Sequence, residues 1–387
     1  MALSFPVGNP VLERVVEGVL EYARARGRWL VSRAPERLDL SVEWLRHWDG
    51  DGALVVVTNR RQAALARRLR MPVVNLGGYL EHPGVATVAA DDLAIGRIAA
   101  EHLLERRFIR FGYFGPRGVW YSERRHEGFR GRAVEGGGRV EALWAAGPFE
   151  SPRGWVDERE ELVRWLGRLR PPVGILAGND QRALMVLEAC ARAGHRVPED
   201  VAVVGVDNDL VACEFSSPGL TSVDRDDRAH GMRAAEVLDR LMSGRGVGRG
   251  AILVAPRGVV GRASTDSVAI EDPDVALAVA RAREQIGERY GVERMLDWTG
   301  LSRRALEMRF RSALGCAPYE FLNRLRVDRA KQLLSGPDRL TLQAVASACG
   351  FGEARRMREV FRRVAGMGPL EFRRLRGVGV IDRTGNG

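Results

Sequence analysis

The chain has 387 residues, 45% of them apolar and 28% charged, with a formal net charge of +10 at pH 7. Length and composition predict a folded globular protein of two or three domains, not a disordered or fibrous chain. No apolar run approaches the ~18 residues that cross a bilayer, so no membrane helix is expected, and the basic excess calls for an anionic partner.

The opening segment, MALSFPVGNPVLERVVEGVL, lacks the basic start of a signal peptide. Four scattered cysteines (Cys190, Cys213, Cys316 and Cys349) have neither metal nor redox spacing. Reduced thiols in a cytoplasmic protein without metal or cofactor are the expectation.

Along the chain, residues 11–26 read as an amphipathic helix. An apolar strand follows at 53–57 and another at 72–76, then a helix at 92–104 and a strand at 110–114. Residues 118–123 read as a loop, and Gly136-Gly137-Gly138 as a surface loop. A helix at 156–169, a strand at 173–177, a helix at 179–193, a strand at 201–206 and a helix at 228–242 complete the series. Strand–helix alternation with all-apolar strands predicts parallel sheets covered on both faces. So many units over ~265 residues predict two doubly wound lobes. Ligands of such sheets sit at the carboxyl ends of the strands. Asn179 and Asp207 each stand immediately after an apolar strand. Either is a candidate ligand contact or an N-cap, and the cap reading suits Asn179 better. The glycine-rich stretch 243–250 reads as a flexible crossing, without the strand-to-helix context of a phosphate loop. Residues 1–265 thus form one domain and 266–273 a polar linker. Asp272-Pro273-Asp274 opens a helix, residues 274–377 form a second domain, and 378–387 a tail.

Residues 274–377 hold 21 Lys+Arg against 12 Asp+Glu, a net of +9 out of the total of +10. Phosphate neutralisation requires that placement. Within this segment, Trp298-Thr299-Gly300-Leu301-Ser302 and Ala348-Cys349-Gly350-Phe351-Gly352 are two glycine turns, each between helices. Ser302 is a candidate N-cap. Helical spacing buries Leu301, Ala305, Leu306, Phe310 and Leu314 in the first unit, and Phe351, Met357, Val360 and Phe361 in the second. It leaves Arg303, Arg304, Glu307, Met308 and Arg311 outside in the first, and Ala354, Arg355, Arg358, Glu359 and Arg362 in the second. PYEFLNRLRVDRAKQLL between them is a long amphipathic helix. Two recognition helices joined by a stiff helix form a device for double-stranded DNA.

Residues 291–375 resemble the AraC/XylS family DNA-binding domain. The matching strings are GLSRRALEMRFRSALGCAPYEFLNRLRVDRAKQLL and LQAVASACGFGEARRMREVFRRVAGMGPLEFRR. The resemblance implies that each recognition helix enters one of two major-groove segments about a helical turn apart. It places Arg304, Glu307 and Met308, and Ala354, Arg355 and Glu359, where the family contacts bases. Arg303 and Arg358 on the same exposed faces complete the expected DNA-binding set. Arginine reads guanine O6 and N7, and glutamate accepts from cytosine N4.

The first domain resembles the LacI-type periplasmic-binding-protein fold, on VAADDLAIG, RHEGF, AGND and VVGVDND. Joined to the AraC-type half, the whole chain is similar to xylose-responsive regulators, with WLVSRAPERLDLSVEWLRHWDGDGALV and VPEDVAVVGVDND supporting the match. That similarity implies an α/β two-lobed periplasmic-binding-protein-like sensor with doubly wound parallel sheets, followed by an all-α tandem helix-turn-helix domain. It implies a small sugar between the lobes, with Asp91, Arg125, Asn179 and Asp207 bonding its hydroxyls. Carboxylate, guanidinium and amide suit vicinal hydroxyls. Trp120 or Tyr121 either stacks on the sugar's apolar face or covers the lobe interface. The Pro6–Pro10 segment departs from the family's polar loop. The expected function is sugar-controlled transcription regulation, most simply activation by a homodimer that contacts RNA polymerase, with the 228–241 helix among the candidate dimer faces. The alternative is a DNA-binding regulator whose sensor answers a non-sugar ligand or a protein partner. An enzyme is not expected, because no activated cysteine, catalytic triad, phosphate loop or His/Glu metal pair is present.

Overall fold

The computed structural model describes residues 2–4, 10–27, 29–33, 42–146, 152–248, 250–267, 269–335 and 340–377. The chain divides into two compact units, Met1–Ala269 and Ile270–Gly387. The division falls inside the segment expected as a linker. The expected tail, 378–387, and most of the Pro6–Pro10 segment lie outside the described residues.

In the first unit, β1 (Ala2–Ser4), α1 (Pro10–Arg26), β2 (Ser32–Arg33), β3 (Ala53–Val55), α2 (Arg60–Ala66), β4 (Val73–Asn75) and β5 (Ala86–Ala90) come first. There follow α3 (Asp92–Glu105), β6 (Arg110–Pro116), α4 (Trp120–Glu135), β7 (Arg139–Ala145), α5 (Pro152–Leu166), β8 (Val173–Ala177), α6 (Asp180–Ala193) and β9 (Val201–Val206). The unit ends with α7 (Leu210–Glu214), β10 (Thr221–Asp224), α8 (Asp227–Met242), β11 (Ala251–Val254), β12 (Gly258–Val260) and a 3-10 turn at Ala263–Thr265. The strands form two six-stranded sheets among the described residues, in the orders β11-β5-β4-β3-β1-β2 and β12-β10-β9-β8-β6-β7. Every pairing is parallel except β10 with β12, where Val223 faces Val259. These are the two doubly wound lobes that the alternation predicts.

Each sheet is buried on both faces, which is why its strands read as apolar runs. In the first lobe, α1 and α8 cover one face around Val19, Leu54 and Leu238. Ala63 and Ala66 of α2 cover the other around Val55 and Val73. In the second lobe, α3 and α4 cover one face around Leu103, Phe111 and Phe129, while α5 and α6 cover the other around Leu162, Ile175 and Val186.

The chain passes between lobes after β5, after β10 and between β11 and β12. The 243–250 stretch, expected as a crossing, is a different connection. It joins α8 to β11, and both belong to the first lobe. Residues 118–123, expected as a loop, carry the start of α4 at Trp120.

Two helix pairs approach through glycine. An added Cβ on Gly96 of α3 would lie 2.1 Å from the Arg125 carbonyl oxygen, and one on Gly128 of α4 would lie 2.0 Å from that of Leu93. Gly18 of α1 and Gly231 of α8 repeat the arrangement in the first lobe, at 2.0 Å from Arg228 and 1.9 Å from Val15. One turn nearer the cleft, both glycine contacts carry an ion pair: Asp92–Arg125 at 2.8 Å and Arg14–Asp227 at 2.8 Å.

The second unit is helical: α9 (Pro273–Glu284), α10 (Val292–Thr299), α11 (Arg303–Leu314), α12 (Pro318–Ser335), α13 (Leu342–Ala348), α14 (Ala354–Ala365) and α15 (Pro369–Gly377). It has two cores. One gathers Met295, Leu306, Phe310 and Leu322. The other gathers Val327, Val345, Phe351, Met357 and Phe361. Because α12 supplies residues to both, it ties one helix-turn-helix to the other.

Candidate ligand cleft and nucleic-acid face

Between the lobes of the first unit lies a cavity of about 150 Å3. Its wall combines aliphatic Val11, Leu12, Val56 and Leu76 with Tyr79, Asp92, Tyr121, Arg125, Asn179, Asp207 and Arg225. The polar members come from strand mouths and helix starts, where a doubly wound sheet exposes functional groups.

Arg125 is 2% exposed and Asp92 4%. The Arg125 Nε donates to Asp92 Oδ1 at 2.8 Å, and its Nη1 donates to the Gly178 carbonyl. Burial raises the Asp92 carboxyl above its ordinary range, against the pull of Arg125. On the opposite wall, Arg225 pairs with Asp207 at 3.2 Å and with Asp227 at 3.2 Å. Burial likewise raises Asp207, with Arg225 and Arg125 opposing it. Buried charges survive only when paired, and the two carboxylates and two guanidiniums of the wall balance to zero.

Asp207 has φ of +114° and Asn208 φ of +50°. A non-glycine residue with such a φ is strained and persists where surrounding bonds fix it. Here Arg14 Nη2 donates to the Asp207 carbonyl at 2.6 Å and Asp207 N to Val223 O at 3.1 Å. Beneath the turn, Asp180 accepts from Ser222 Oγ at 2.6 Å and from Asp209 N at 2.8 Å. Burial, and next the Asp207 charge, push the Asp180 carboxyl up to about 7.

The aromatic wall is a pair. The Tyr79 and Tyr121 rings meet edge-to-face at 5.7 Å, and the Arg125 guanidinium sits 4.9 Å from the Tyr121 ring centre. Backbone bonds from Trp120 N to Tyr79 O (3.1 Å) and from Tyr121 N to Gly78 O (2.7 Å) join the lobes at this rim.

Of the residues expected from sequence, the structure brings Arg125, Asn179 and Asp207 together on the cavity wall. Asn179 also caps α6, its Oδ1 accepting from Arg182 N at 2.9 Å, so the two readings of this residue coexist. One expected contact is replaced by its neighbour. Asp91 turns its carboxylate back to cap α3, accepting from Ala94 N at 3.0 Å, and it is Asp92 that lines the cavity. Of the two aromatics expected, Trp120 and Tyr121, it is Tyr121 that lines the wall. Tyr79 and Arg225 were not anticipated. The signals available for them were the Gly77-Gly78-Tyr79 step after one strand and the charged Asp224-Arg225-Asp226-Asp227 run after another.

In the second unit, Gly300 (φ +67°) makes the first turn and Ser302 caps α11, accepting from Ala305 N at 3.3 Å. In the other motif Glu353 makes no side-chain cap. Gln343 of α13 takes that part. Its Oε1 accepts from Ala354 N at 3.1 Å and its Nε2 donates to Gly352 O at 2.7 Å, which fastens the turn. Leu306 and Phe310 of α11, and Met357, Val360 and Phe361 of α14, are buried. Arg303, Arg304, Met308, Arg355, Arg358 and Glu359 are exposed, while Glu307 and Ala354 are half-buried. Each recognition helix pairs an arginine with a glutamate one turn on, Arg303–Glu307 at 3.5 Å and Arg355–Glu359 at 3.4 Å. The glutamates therefore sit in partly neutralised surroundings.

The relation between the two motifs is set by a buried arginine. Arg326 of α12 donates to Tyr290 O at 2.9 Å and to Glu288 O at 3.3 Å, with its guanidinium 5.1 Å from the Tyr290 ring and 6.0 Å from that of Phe351. Gly350 (φ +70°) turns against the same loop. An added Cβ there would lie 2.4 Å from Glu288 O.

Residues 100–265 match the periplasmic binding protein-like domain family, and residues 296–375 match a helix-turn-helix domain family. The xylose operon regulatory protein of Escherichia coli (strain K12) is 28% identical over 381 residues, covering 96% of each chain. That of Haemophilus influenzae (strain ATCC 51907) is 28% identical over 387 residues, covering 96% of this chain and 97% of its own. A solved structure of a xylose-binding transcription activator superposes with a TM-score of 0.73 at 28% identity, covering 97% of each chain. By their names these relatives are transcription regulators. The chain joins a periplasmic-binding-protein-like α/β domain to an AraC-type helix-turn-helix domain.

Proposed function

We propose that this transcription regulator, with an AraC-type DNA-binding domain behind a periplasmic-binding-protein-like sensor, is controlled by one small neutral sugar held between the sensor lobes. D-Xylose is the first candidate. The charge-balanced cavity carries this reading. An anionic sugar phosphate would need an unpaired cation, whereas Arg125 and Arg225 are both committed to carboxylates. Hydroxyls can share those carboxylates and guanidiniums without disturbing the charge balance. Buried Arg225 Nε, which has no hydrogen-bond partner among the described residues, offers a further donor beside the cavity. Tyr79 and Tyr121 supply the apolar face against which a sugar ring packs. A cavity of about 150 Å3 equals roughly five waters, the scale of one ring rather than two. The xylose-regulator relatives support the same effector.

Asp92, Arg125, Asn179, Asp207 and Arg225 would bond the hydroxyls. Sugar bound to both lobes favours one lobe arrangement by its differential affinity, and that is the whole energy available for control. On the DNA side, Arg304 and Arg355 would read guanine, with Glu307, Met308, Ala354 and Glu359 beside them and Arg303 and Arg358 supporting. The regulator acts in the cytoplasm as a homodimer on operator DNA, and activates by contact with RNA polymerase. Thermal unfolding with graded sugar tests the effector. D-Xylose at ~100 times its Kd should stabilise the protein by ~2.7 kcal/mol, and D-xylose 5-phosphate should not. Stabilisation by the phosphate alone would refute the neutral-sugar reading.

A further inference from the structure

Immediately beyond Asp207, a chain of hydrogen bonds runs from the cleft to the point where the polypeptide leaves the sensor unit. We infer that Asn208 and Arg262 are positioning residues that carry the state of the cleft to that exit. The inference rests on the cleft reading above and adds the route by which occupancy is reported.

Asn208 shares the strained turn with Asp207. Its backbone N donates to Ser222 Oγ at 3.0 Å, and its side-chain Oδ1 accepts from Arg262 Nη2 at 3.0 Å. The Arg262 side chain is 12% exposed. Its other nitrogens donate to Leu220 O at 3.0 Å and to Glu214 Oε1 at 2.8 Å. Its backbone is clamped by Thr221, whose Oγ1 accepts from Arg262 N at 2.8 Å and donates to Arg262 O at 3.0 Å. Thr221 Oγ1 also meets Thr265 Oγ1 at 2.8 Å, and Thr265 Oγ1 meets His102 Nε2 at 2.9 Å. Arg106 Nε donates to Thr265 O at 2.8 Å, and the Arg106 carbonyl accepts from Ala269 N at 2.8 Å. Ala269 is the last residue of the sensor unit.

Thr221, Ser264 and Thr265 are fully buried. In a close-packed interior such bonds shift together or break, because there is no space for slack. A ligand that pulls on the Asp207 carboxylate acts on a turn already away from its backbone minimum, and Asn208 is covalently next. Arg262 touches this turn and also begins the segment that leads to Ala269. Asn208 and Arg262 lie outside the cavity wall, so their substitution can separate binding from transmission.

Hydrogen–deuterium exchange on the full-length protein tests this. Asn208→Gly keeps the positive φ without steric cost and deletes the acceptor for Arg262. Without any sugar, amides 264–269 should exchange about tenfold faster in this variant than in the wild type, the scale of one lost charge-assisted hydrogen bond. Arg262→Gln should act in the same direction. With D-xylose, calorimetry should show binding to wild type and to both variants, while the sugar-induced change at 264–269 should appear in the wild type and vanish in the variants. Unchanged exchange at 264–269 in sugar-free Asn208→Gly would overturn the inference, as would variants that bind D-xylose and still transmit. Absence of D-xylose heat from the wild type would strike the effector reading instead, and the sugar-free comparison would still decide the route.

Discussion

Asp92 and Arg125 form a buried ion pair at 2.8 Å whose geometry is fixed four and three residues away, by Gly96 and Gly128. The glycines bring α3 and α4 into backbone contact, and the pair lies one turn nearer the cleft. Removing one partner of a buried pair leaves an uncompensated charge, at a cost of ~3–5 kcal/mol. Arg125→Ala should therefore lower the thermal midpoint and abolish sugar binding together. Arg125→Lys should recover part of the stability, but not the two-directional reach to Asp92 and Gly178. Thermal unfolding paired with calorimetry on both variants checks this.

Gly128→Ala tests the same relationship from a distance. Its Cβ would sit 2.0 Å from the Leu93 carbonyl oxygen, so α3 must move off α4. Overpacking of this kind costs ~1–3 kcal/mol. The variant should weaken sugar binding at least tenfold although residue 128 is not on the cavity wall. Wild-type affinity in a folded Gly128→Ala protein would show that helix contact does not set the cleft.

The Asp180 carboxyl is pushed up to about 7 from 3.8, by burial first and by the Asp207 charge second. The folded protein thus holds this proton more tightly than the unfolded chain. Stability from Asp180 is full below the unfolded value and is lost as pH rises through about 7, by on the order of 4 kcal/mol. Asp180→Asn removes the titration. The wild-type thermal midpoint minus that of the variant should fall between pH 5 and pH 8, and a difference that does not change with pH would contradict the assignment.

Arg304 and Arg355 occupy the same position on their recognition helices, two residues past the respective N-cap positions, Ser302 and Glu353. Alanine at either should cost ~1–3 kcal/mol of specific DNA binding. Neither should move the thermal midpoint, because an exposed pair such as Arg355–Glu359 adds little to stability. Fluorescence anisotropy with a selected duplex and with a random one separates lost reading from lost charge, since only the former relaxes specificity.

The sequence made the architecture legible because both sheets are covered on both faces and the strands at 173–177 and 201–206 are uninterrupted apolar runs. Helix boundaries were less legible, and they decided the site. Asp91 and Asp92 differ by about 100° around a helix. Which one faces the cleft depends on where α3 begins, and a cap at Asp91 hands the role to Asp92. The same holds for Trp120 and Tyr121 at the first turn of α4. Arg225 was hidden for another reason: it lies where the chain crosses between lobes, and only the tertiary fold brings it to Asp207. Buried Arg326 reads in sequence as one more basic residue of a basic helix, although its partners lie 36 and 38 residues away.

Sugar in the cleft should control the helix-turn-helix unit. The most direct test selects a duplex from a random-sequence pool with the full-length protein, then measures its affinity with and without D-xylose, in the wild type and in Asp207→Ala. Wild-type affinity should change about fivefold or more on adding sugar, and that of Asp207→Ala, which still binds the duplex, should not change. Equal wild-type affinities with and without sugar, under conditions where calorimetry shows the sugar bound, would contradict it.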